Sequence, residues 1–150
     1  MTRATTLTLK NDPSELVRVT RLVASLCAEN AIPADAEYDI NLTLDEIVSN
    51  VIRHAYPDGR VHEFTLRVAV DKDEFWAQVE DDGREFNPTE HPAPDLDAPL
   101  AERKAGGLGV HIVRSIMDSF EYECVAGKNL VTVRKKLGGT AEKSPDGGQP

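Results

Sequence analysis

Three polar side chains recur at four-residue intervals near the middle of the chain: Glu46, Asn50 and His54. In an α-helix, residues four apart lie on the same face, so these three would form one polar stripe. A carboxylate and an amide oxygen are hard ligands that suit Mg²⁺ or can orient a hydroxyl group. The stripe alone does not distinguish such a site from a solvated helix face. The helix also has an apolar stripe that can face a core: Ile47, Val48, Val51 and Ala55.

A second polar group, Asp81-Asp82-Gly83, follows a predicted β-strand. An Asp-Gly pair often forms a hairpin turn, but no strand follows it here. A carboxylate at a strand end can accept a hydrogen bond from an exocyclic amino group, and adenine carries one. The glycine would let a ligand approach the backbone closely.

The third group is the glycine-rich stretch Gly106-Gly107-Leu108-Gly109, which precedes a predicted helix. Free backbone N–H groups at a helix N-terminus can bind phosphate. The stretch is not a P-loop, because no Gly-Lys-Ser/Thr follows, and it is not a Rossmann loop, because a proline-rich segment precedes it and the third glycine is missing. A zinc site is disfavoured because no two histidines have ligand spacing. They are His54, His62, His91 and His111.

The composition is that of an acidic globular protein with one domain. The 150 residues, 40% of them hydrophobic, suffice for a real core. A net charge of −9 argues against nonspecific nucleic-acid binding. Because no apolar run could span a bilayer and the N-terminus lacks a signal core, we expect a cytoplasmic protein without membrane contact. In that compartment Cys27 and Cys124 should be buried free thiols rather than a disulfide.

Periodicity and turn residues predict an α+β two-layer sandwich, with helices covering one face of a sheet of mainly antiparallel strands. We place Trp76 on the outer face and a turn at Gly127-Lys128-Asn129. From Gly138 the chain is rich in Gly, Pro and charge, which predicts a disordered tail at 138–150. The predicted elements are a strand at 5–10, a helix from 13 to about 29, a helix at 34–55, strands at 64–70 and 75–80, a long proline-rich loop at 87–105, a helix at 110–119, and strands at 120–125 and 130–137.

The three polar groups together resemble a known family. Glu46-x-x-x-Asn50-x-x-x-His54, Asp81-x-Gly83 and Gly107-x-Gly109 have the order and spacing of the N, G1 and G2 boxes of the GHKL ATPase superfamily. The short length, the His54-Ala55-Tyr56 ending and the run from Gly107 to Arg114 most resemble stand-alone anti-sigma-factor serine kinases of bacterial partner switching. The resemblance covers roughly residues 5 to 137. It implies a GHKL (Bergerat) ATP-binding fold with a mixed, mostly antiparallel sheet, in a kinase domain at 1–137.

The resemblance also implies roles for individual residues. Asn50 would hold the Mg²⁺ that bridges the phosphates of ATP, and Glu46 would act as base or orienter for the attacking hydroxyl. Asp81 would bind the adenine amino group, and Gly83 would admit the base. The stretch Gly107, Leu108 and Gly109 would let a lid close over the phosphates.

Other positions have weaker assignments. Arg103 and Lys104 are the nearest cations, although solvated lid charges are the favoured interpretation. His54 matches the family pattern but could serve only packing and hydrogen bonding. Glu85 stands where many relatives carry a small residue or proline, a difference that would bear on the lid.

Three functions follow from the resemblance. The favoured one is an ATP-dependent serine/threonine kinase and anti-sigma factor that phosphorylates an anti-anti-sigma partner of the STAS type and sequesters a sigma factor. The alternative is a nucleotide-dependent binding module without kinase activity, and Glu46 argues against it because pure binding needs no carboxylate there. A detached histidine-kinase catalytic domain is disfavoured because no phosphoacceptor helix pair is present. A homodimer is expected because the strand Thr5–Lys10 could lie at a sheet edge.

Overall fold

The computed structural model describes residues 4–90 and 107–138. The strands are β1 (Thr5–Lys10), β2 (Glu63–Asp71), β3 (Glu74–Asp81), β4 (Ser119–Val125) and β5 (Lys128–Lys136). The helices are α1 (Leu16–Asn30), α2 (Ala34–His54) and α3 (Gly107–Ile116), with short 3₁₀ turns at Pro13–Glu15 and Pro88–Glu90. The predicted succession of helices and strands is confirmed.

The strands form one sheet in the order β1-β2-β3-β5-β4. Every pairing in the described sheet is antiparallel, so the mixed sheet implied by the resemblance is a fully antiparallel one here. Tight hairpins connect β2 to β3 and β4 to β5, helices α1 and α2 connect β1 to β2, and β5 pairs with β3 after the chain has passed through α3 and β4. Strand β1 lies at one edge, as expected.

The sheet has one buried and one open face. In β3, Phe75, Ala77 and Val79 are buried, whereas Trp76 and Gln78 alternate with them on the half-exposed side. This confirms the outer position predicted for Trp76, over which the Arg67 guanidinium lies 6.0 Å from the ring centroid. The buried side packs against apolar stripes of α1 and α2, which include Val19, Val23, Ile40, Leu44, Ile47 and Val48. The α+β two-layer prediction is therefore confirmed.

Helix boundaries follow local chemistry. Asp12 caps the first turn by accepting a hydrogen bond from the Ser14 amide at 2.9 Å. Helix α3, predicted at 110–119, instead begins at Gly107 and ends at Ile116. The shift has a physical reason at its end, because the Asp118 amide donates to the Arg134 carbonyl at 2.8 Å and so enters the β4–β5 hairpin. Gly107 and Gly109 are thus in the first turn of a helix rather than in a preceding loop.

Two further predictions need correction. The β4–β5 turn is made by Ala126 and Gly127, both with positive φ (54° and 80°), so Lys128 and Asn129 belong to β5. Cys27 is a buried free thiol as predicted, but Cys124 is exposed because it lies near the end of the edge strand β4.

Some predictions concern residues outside the described ranges. Within the predicted loop at 87–105, Pro88–Glu90 form a 3₁₀ turn, and the remainder, with Arg103 and Lys104, lies outside them. The predicted tail falls almost wholly outside them as well. Among the helices of residues 4–90 and 107–138, none combines the length and apolar character needed to cross a membrane.

Candidate functional site

The polar stripe predicted on α2 is present, and two of its side chains, Glu46 and Asn50, are largely buried. Asn50 is only 5% exposed, and the side chain of Glu46, one turn earlier, is 16% exposed. The guanidinium of Arg53 donates from Nη2 to Asn50 Oδ1 at 2.8 Å, and the same nitrogen lies 3.8 Å from Glu46 Oε2. Asn50 Nδ2 and Glu46 Oε2 are buried without a hydrogen-bond partner among the described residues. Buried polar atoms are nearly always paired, so these two mark a place where a ligand would bind.

The protonation of Glu46 reflects this burial. Removal from water raises the pKa of its carboxyl above the ordinary value of 4.5, while Arg53 and Asn50 partly oppose the increase. A carboxylate with a raised pKa is a better proton acceptor than a solvated one. This raised pKa is compatible with the base role implied by the resemblance, which remains a prediction.

The first turn of α3 approaches Glu46 very closely. A Cβ placed on Gly109 would stand 2.0 Å from Glu46 Oε1 and 2.3 Å from its Cδ. Such a distance is possible only without a side chain, so glycine at 109 permits the contact. The structure thereby brings the predicted N-box carboxylate and the G2-box glycine together.

Asp81 ends β3 and is 6% exposed. Its Oδ1 accepts hydrogen bonds from the Gly83 amide and from Asn129 Nδ2, each at 2.9 Å. Burial raises the pKa of Asp81, against the lowering effect of these two hydrogen bonds. The carboxylate is thus fixed at one oxygen by two donors.

Asn129 is a site residue that the sequence analysis missed. It is 3% exposed, lies opposite Asp81 in the β3–β5 register, and also donates to the Arg84 carbonyl at 2.9 Å. Tyr122 donates its hydroxyl to Asn129 Oδ1 at 2.5 Å, which fixes the orientation of the amide. The pairing of β5 with β3 is the signal that places Asn129 beside Asp81. The local sequence instead predicts a turn at Asn129, because it follows Gly127 and Lys128.

Gly83 has a structural reason of its own. A Cβ at this position would stand 2.2 Å from the backbone oxygen of Ala55, so glycine is needed for the loop to contact the end of α2. Arg84 reinforces that contact, donating from its amide to the Ala55 carbonyl at 2.8 Å and from Nε to the His54 carbonyl at 2.7 Å. The role of Gly83 in admitting the adenine ring remains a prediction.

One aromatic stacking contact and one hydrogen bond join the end of α2 to the segment after β3. The ring of His54 stacks on Phe86 with centroids 4.9 Å apart. Tyr56 donates its hydroxyl to Asp82 Oδ1 at 2.9 Å and stacks on His62 with centroids 4.2 Å apart. The N-box and G1-box segments are therefore held as one unit.

A small cavity lies between Asn50 on α2 and Asp81 at the end of β3. Its volume is about 20 Å³, enough for roughly one water molecule. Asn50 and Asp81, which are 31 positions apart in sequence, both line it. The remaining lining residues are Ile47, Val51, Ala55, Arg84, Phe86, Pro88, Asn129 and Val131.

Comparisons with known proteins identify the family of the chain. The family model described as histidine kinase-like ATPase domain matches residues 9–135. A serine-protein kinase named RsbW from Halalkalibacterium halodurans is 32% identical over 126 residues, which cover 81% of this chain and 76% of the relative. A protein named anti-sigma F factor from Clostridium perfringens is 26% identical over 98 residues, 65% of this chain and 70% of the relative.

A solved structure supports the fold. The RsbU and RsbW domains of a Mycobacterium tuberculosis protein superpose with a TM-score of 0.66 at 17% identity over 90% of this chain. The present chain spans about a third of that structure, 32%. At this identity the likeness concerns the fold alone.

Proposed function

The chain belongs to the histidine kinase-like ATPase domain family, and we propose that it is an ATP-dependent serine/threonine protein kinase with anti-sigma activity. The observation that carries the proposal is the position of Glu46. Its carboxylate is largely buried, has one oxygen without a hydrogen-bond partner among the described residues, and lies against the first turn of α3. A site for nucleotide binding alone has no use for a base there.

Each predicted site residue has a role in this proposal. Asp81 accepts a hydrogen bond from the amino group of adenine, in a loop whose shape depends on Gly83. The backbone of Gly107, Leu108 and Gly109 opens a ten-residue helix and provides N–H groups for phosphate. Glu46 orients a serine hydroxyl and accepts its proton.

The residues also fit a magnesium ion. In phosphoryl-transfer sites Mg²⁺ is held by one or two protein oxygens together with phosphate and water, so the single amide oxygen of Asn50 is sufficient. The oxygen of this buried amide, Asn50 Oδ1, already accepts a hydrogen bond from the cationic guanidinium of Arg53 at 2.8 Å, so its position suits a positive charge. When bound, Mg²⁺ would supply neutralisation of the phosphate charge.

The proposed protein partners are a STAS-domain anti-anti-sigma protein, as phosphoryl acceptor, and a sigma factor, as the sequestered protein, in the cytoplasm. Support comes from the names of two relatives, one a serine-protein kinase and one an anti-sigma factor. We propose no contact with nucleic acid or with a membrane. A net charge of −9 argues against nucleic-acid binding.

We further propose a homodimer formed through the β1 edge. Among the described strands β1 pairs with β2 alone, and a sheet edge of this kind can pair or pack across a two-fold axis. Sedimentation at high micromolar concentration with ATP should show a dimer. A monomer under those conditions would contradict this part.

Incubation with labelled ATP and a panel of STAS-domain proteins tests the activity. We expect transfer to a serine of one of them, and Asn50→Ala should abolish Mg²⁺-dependent ATP binding in calorimetry without unfolding the protein. Nucleotide binding without transfer to any partner would favour the inactive binding module. Normal ATP affinity in Asn50→Ala would instead contradict the site assignment.

A further inference from the structure

The guanidinium of Arg53 lies beside two oxygens of the proposed site, those of Asn50 and Glu46. Arg53 Nη2 is 2.8 Å from Asn50 Oδ1 and 3.8 Å from Glu46 Oε2. These contacts run from the C-terminal turn of α2 back along its polar stripe. One guanidinium nitrogen therefore donates a hydrogen bond to an amide oxygen and lies within ion-pair distance of a carboxylate oxygen, and both oxygens are hard ligands.

The exposed fractions of the three side chains show from which side Arg53 reaches the site. Asn50 and Glu46 belong to the buried floor of the site, whereas the Arg53 side chain is 40% exposed. The guanidinium thus reaches the site from the solvent side, as a diffusing cation would. The long stem of Arg53 can turn back to solvent without disturbing the core.

An ordinary surface ion pair does not account for this arrangement. Exposed pairs between Arg and Glu contribute little to stability, and 3.8 Å is a long contact for one. The shorter contact goes instead to the neutral Asn50 oxygen, whereas Asn50 Nδ2 has no hydrogen-bond partner within residues 4–90 and 107–138. Arg53 therefore satisfies the oxygen that the proposed function assigns to Mg²⁺.

We propose that Arg53 is the resident cation of the nucleotide-free site, and that Mg²⁺·ATP must displace it from Asn50 before binding. Arg53 is a positioning residue in this scheme, because it acts by holding Asn50 and Glu46 ready and by setting the affinity for the metal-bound nucleotide. The inference rests on the proposed function. Its consequence is a reduced apparent affinity, since only molecules in which Arg53 has left Asn50 can bind Mg²⁺·ATP.

The test is calorimetric and needs no catalysis. ATP affinity is measured with excess Mg²⁺ and with EDTA, in the wild type and in Arg53→Gln, and the ratio of the two affinities is the readout. Without the competing guanidinium, the affinity for Mg²⁺·ATP should rise about three- to tenfold, as expected for release of one intramolecular hydrogen bond. The affinity in EDTA should not rise, so the ratio increases. Arg53→Lys, which keeps the charge without the planar fork, should return part of the way to the wild-type ratio.

Arg21→Gln is the matched control, because it removes the same charge from an exposed position on α1. It should keep the wild-type ratio. An unchanged or smaller ratio in Arg53→Gln would overturn the inference, and so would an equal increase in Arg21→Gln, which would indicate a long-range charge effect. A wild type that binds no ATP, or binds it equally well in EDTA, would instead overturn the proposed function and the inference together.

Discussion

The carboxyl group of Glu46 occupies the space into which a side chain at Gly109 would project, 2.0 Å from the nearest carboxyl oxygen to the position of a Cβ. This contact joins the middle of α2 to the first turn of α3. Glycine at 109 therefore leaves room for the Glu46 carboxyl group, apart from any contact with phosphate.

Substitution of Gly109 by alanine should separate stability from activity. The new methyl group would push the flexible carboxyl end of Glu46 aside, while alanine favours the helix, so the free energy of unfolding should change by less than about 1 kcal/mol. A displacement of about 1 Å at a reacting group can cost about 10²-fold in rate. We expect phosphoryl transfer to fall by about 10- to 100-fold in single-turnover assays.

A double-mutant cycle supplies the control. If alanine at 109 acts through Glu46, it should have little further effect on transfer in a Glu46→Gln background, because interacting residues are not additive. Full additivity of the two substitutions would show that Gly109 acts independently of Glu46. A large loss of stability in Gly109→Ala would likewise contradict the account.

Asn129 should support nucleotide binding through Asp81. Asn129→Ala removes a donor to Asp81 Oδ1 and to the Arg84 carbonyl, and leaves the Tyr122 hydroxyl without its acceptor. The free energy of unfolding should fall by about 1–3 kcal/mol, the usual cost of unsatisfied buried groups. ATP affinity should fall about tenfold, because Asp81 loses its fixed orientation.

Thr132→Ala is the matched control on the same strand. Thr132 lies on the half-exposed side of β5, where it accepts a hydrogen bond from Gln78 Nε2 at 3.1 Å. Its loss should leave ATP affinity unchanged in the same calorimetric experiment. Wild-type affinity in Asn129→Ala would show that Asp81 needs no such support.

Thiol reactivity tests the corrected placement of the cysteines. Burial raises the pKa of the Cys27 thiol to about 11, and Cys124 is exposed. The thiolate is the reactive form, and its fraction at Cys27 falls as the pH drops below that value. At about pH 8, N-ethylmaleimide should therefore modify native protein at Cys124 only, as read by mass spectrometry, and Cys27 only after denaturation. Labelling of native Cys124→Ser at Cys27 would contradict the buried position.

The sequence was sufficient to predict most of the fold. Alternation in β2 and β3 and the helical period of α1 and α2 are local signals, and both describe the buried faces correctly. The predicted start of α3 is three residues late, because glycines in a sequence indicate a loop. Their place in a helix becomes understandable only when the side chain packed against them is known. That side chain is Glu46, 63 positions earlier in the chain.

The site was predictable only where its chemistry lies in one segment. Glu46, Asn50 and His54 share a helix, so their common face followed from spacing alone. Asp81 and Asn129 meet only through the β3–β5 register, a long-range pairing that single-strand patterns do not contain. Gly83 is predicted from the sequence to make room for a ligand. The structure shows another reason for glycine at this position, because a Cβ would clash with the backbone of Ala55.

The most direct test of the central claim is the rate of phosphoryl transfer from ATP to a STAS-domain partner in Glu46→Gln, measured beside its affinity for ATP. The glutamine is nearly isosteric and cannot accept the proton, so transfer should fall by about 10²–10⁴-fold while the affinities for ATP and for the partner stay at the wild-type level. Transfer at the wild-type rate would leave Glu46 without a catalytic role. Loss of ATP binding together with transfer would make Glu46 part of the metal site and would contradict its assignment as the base.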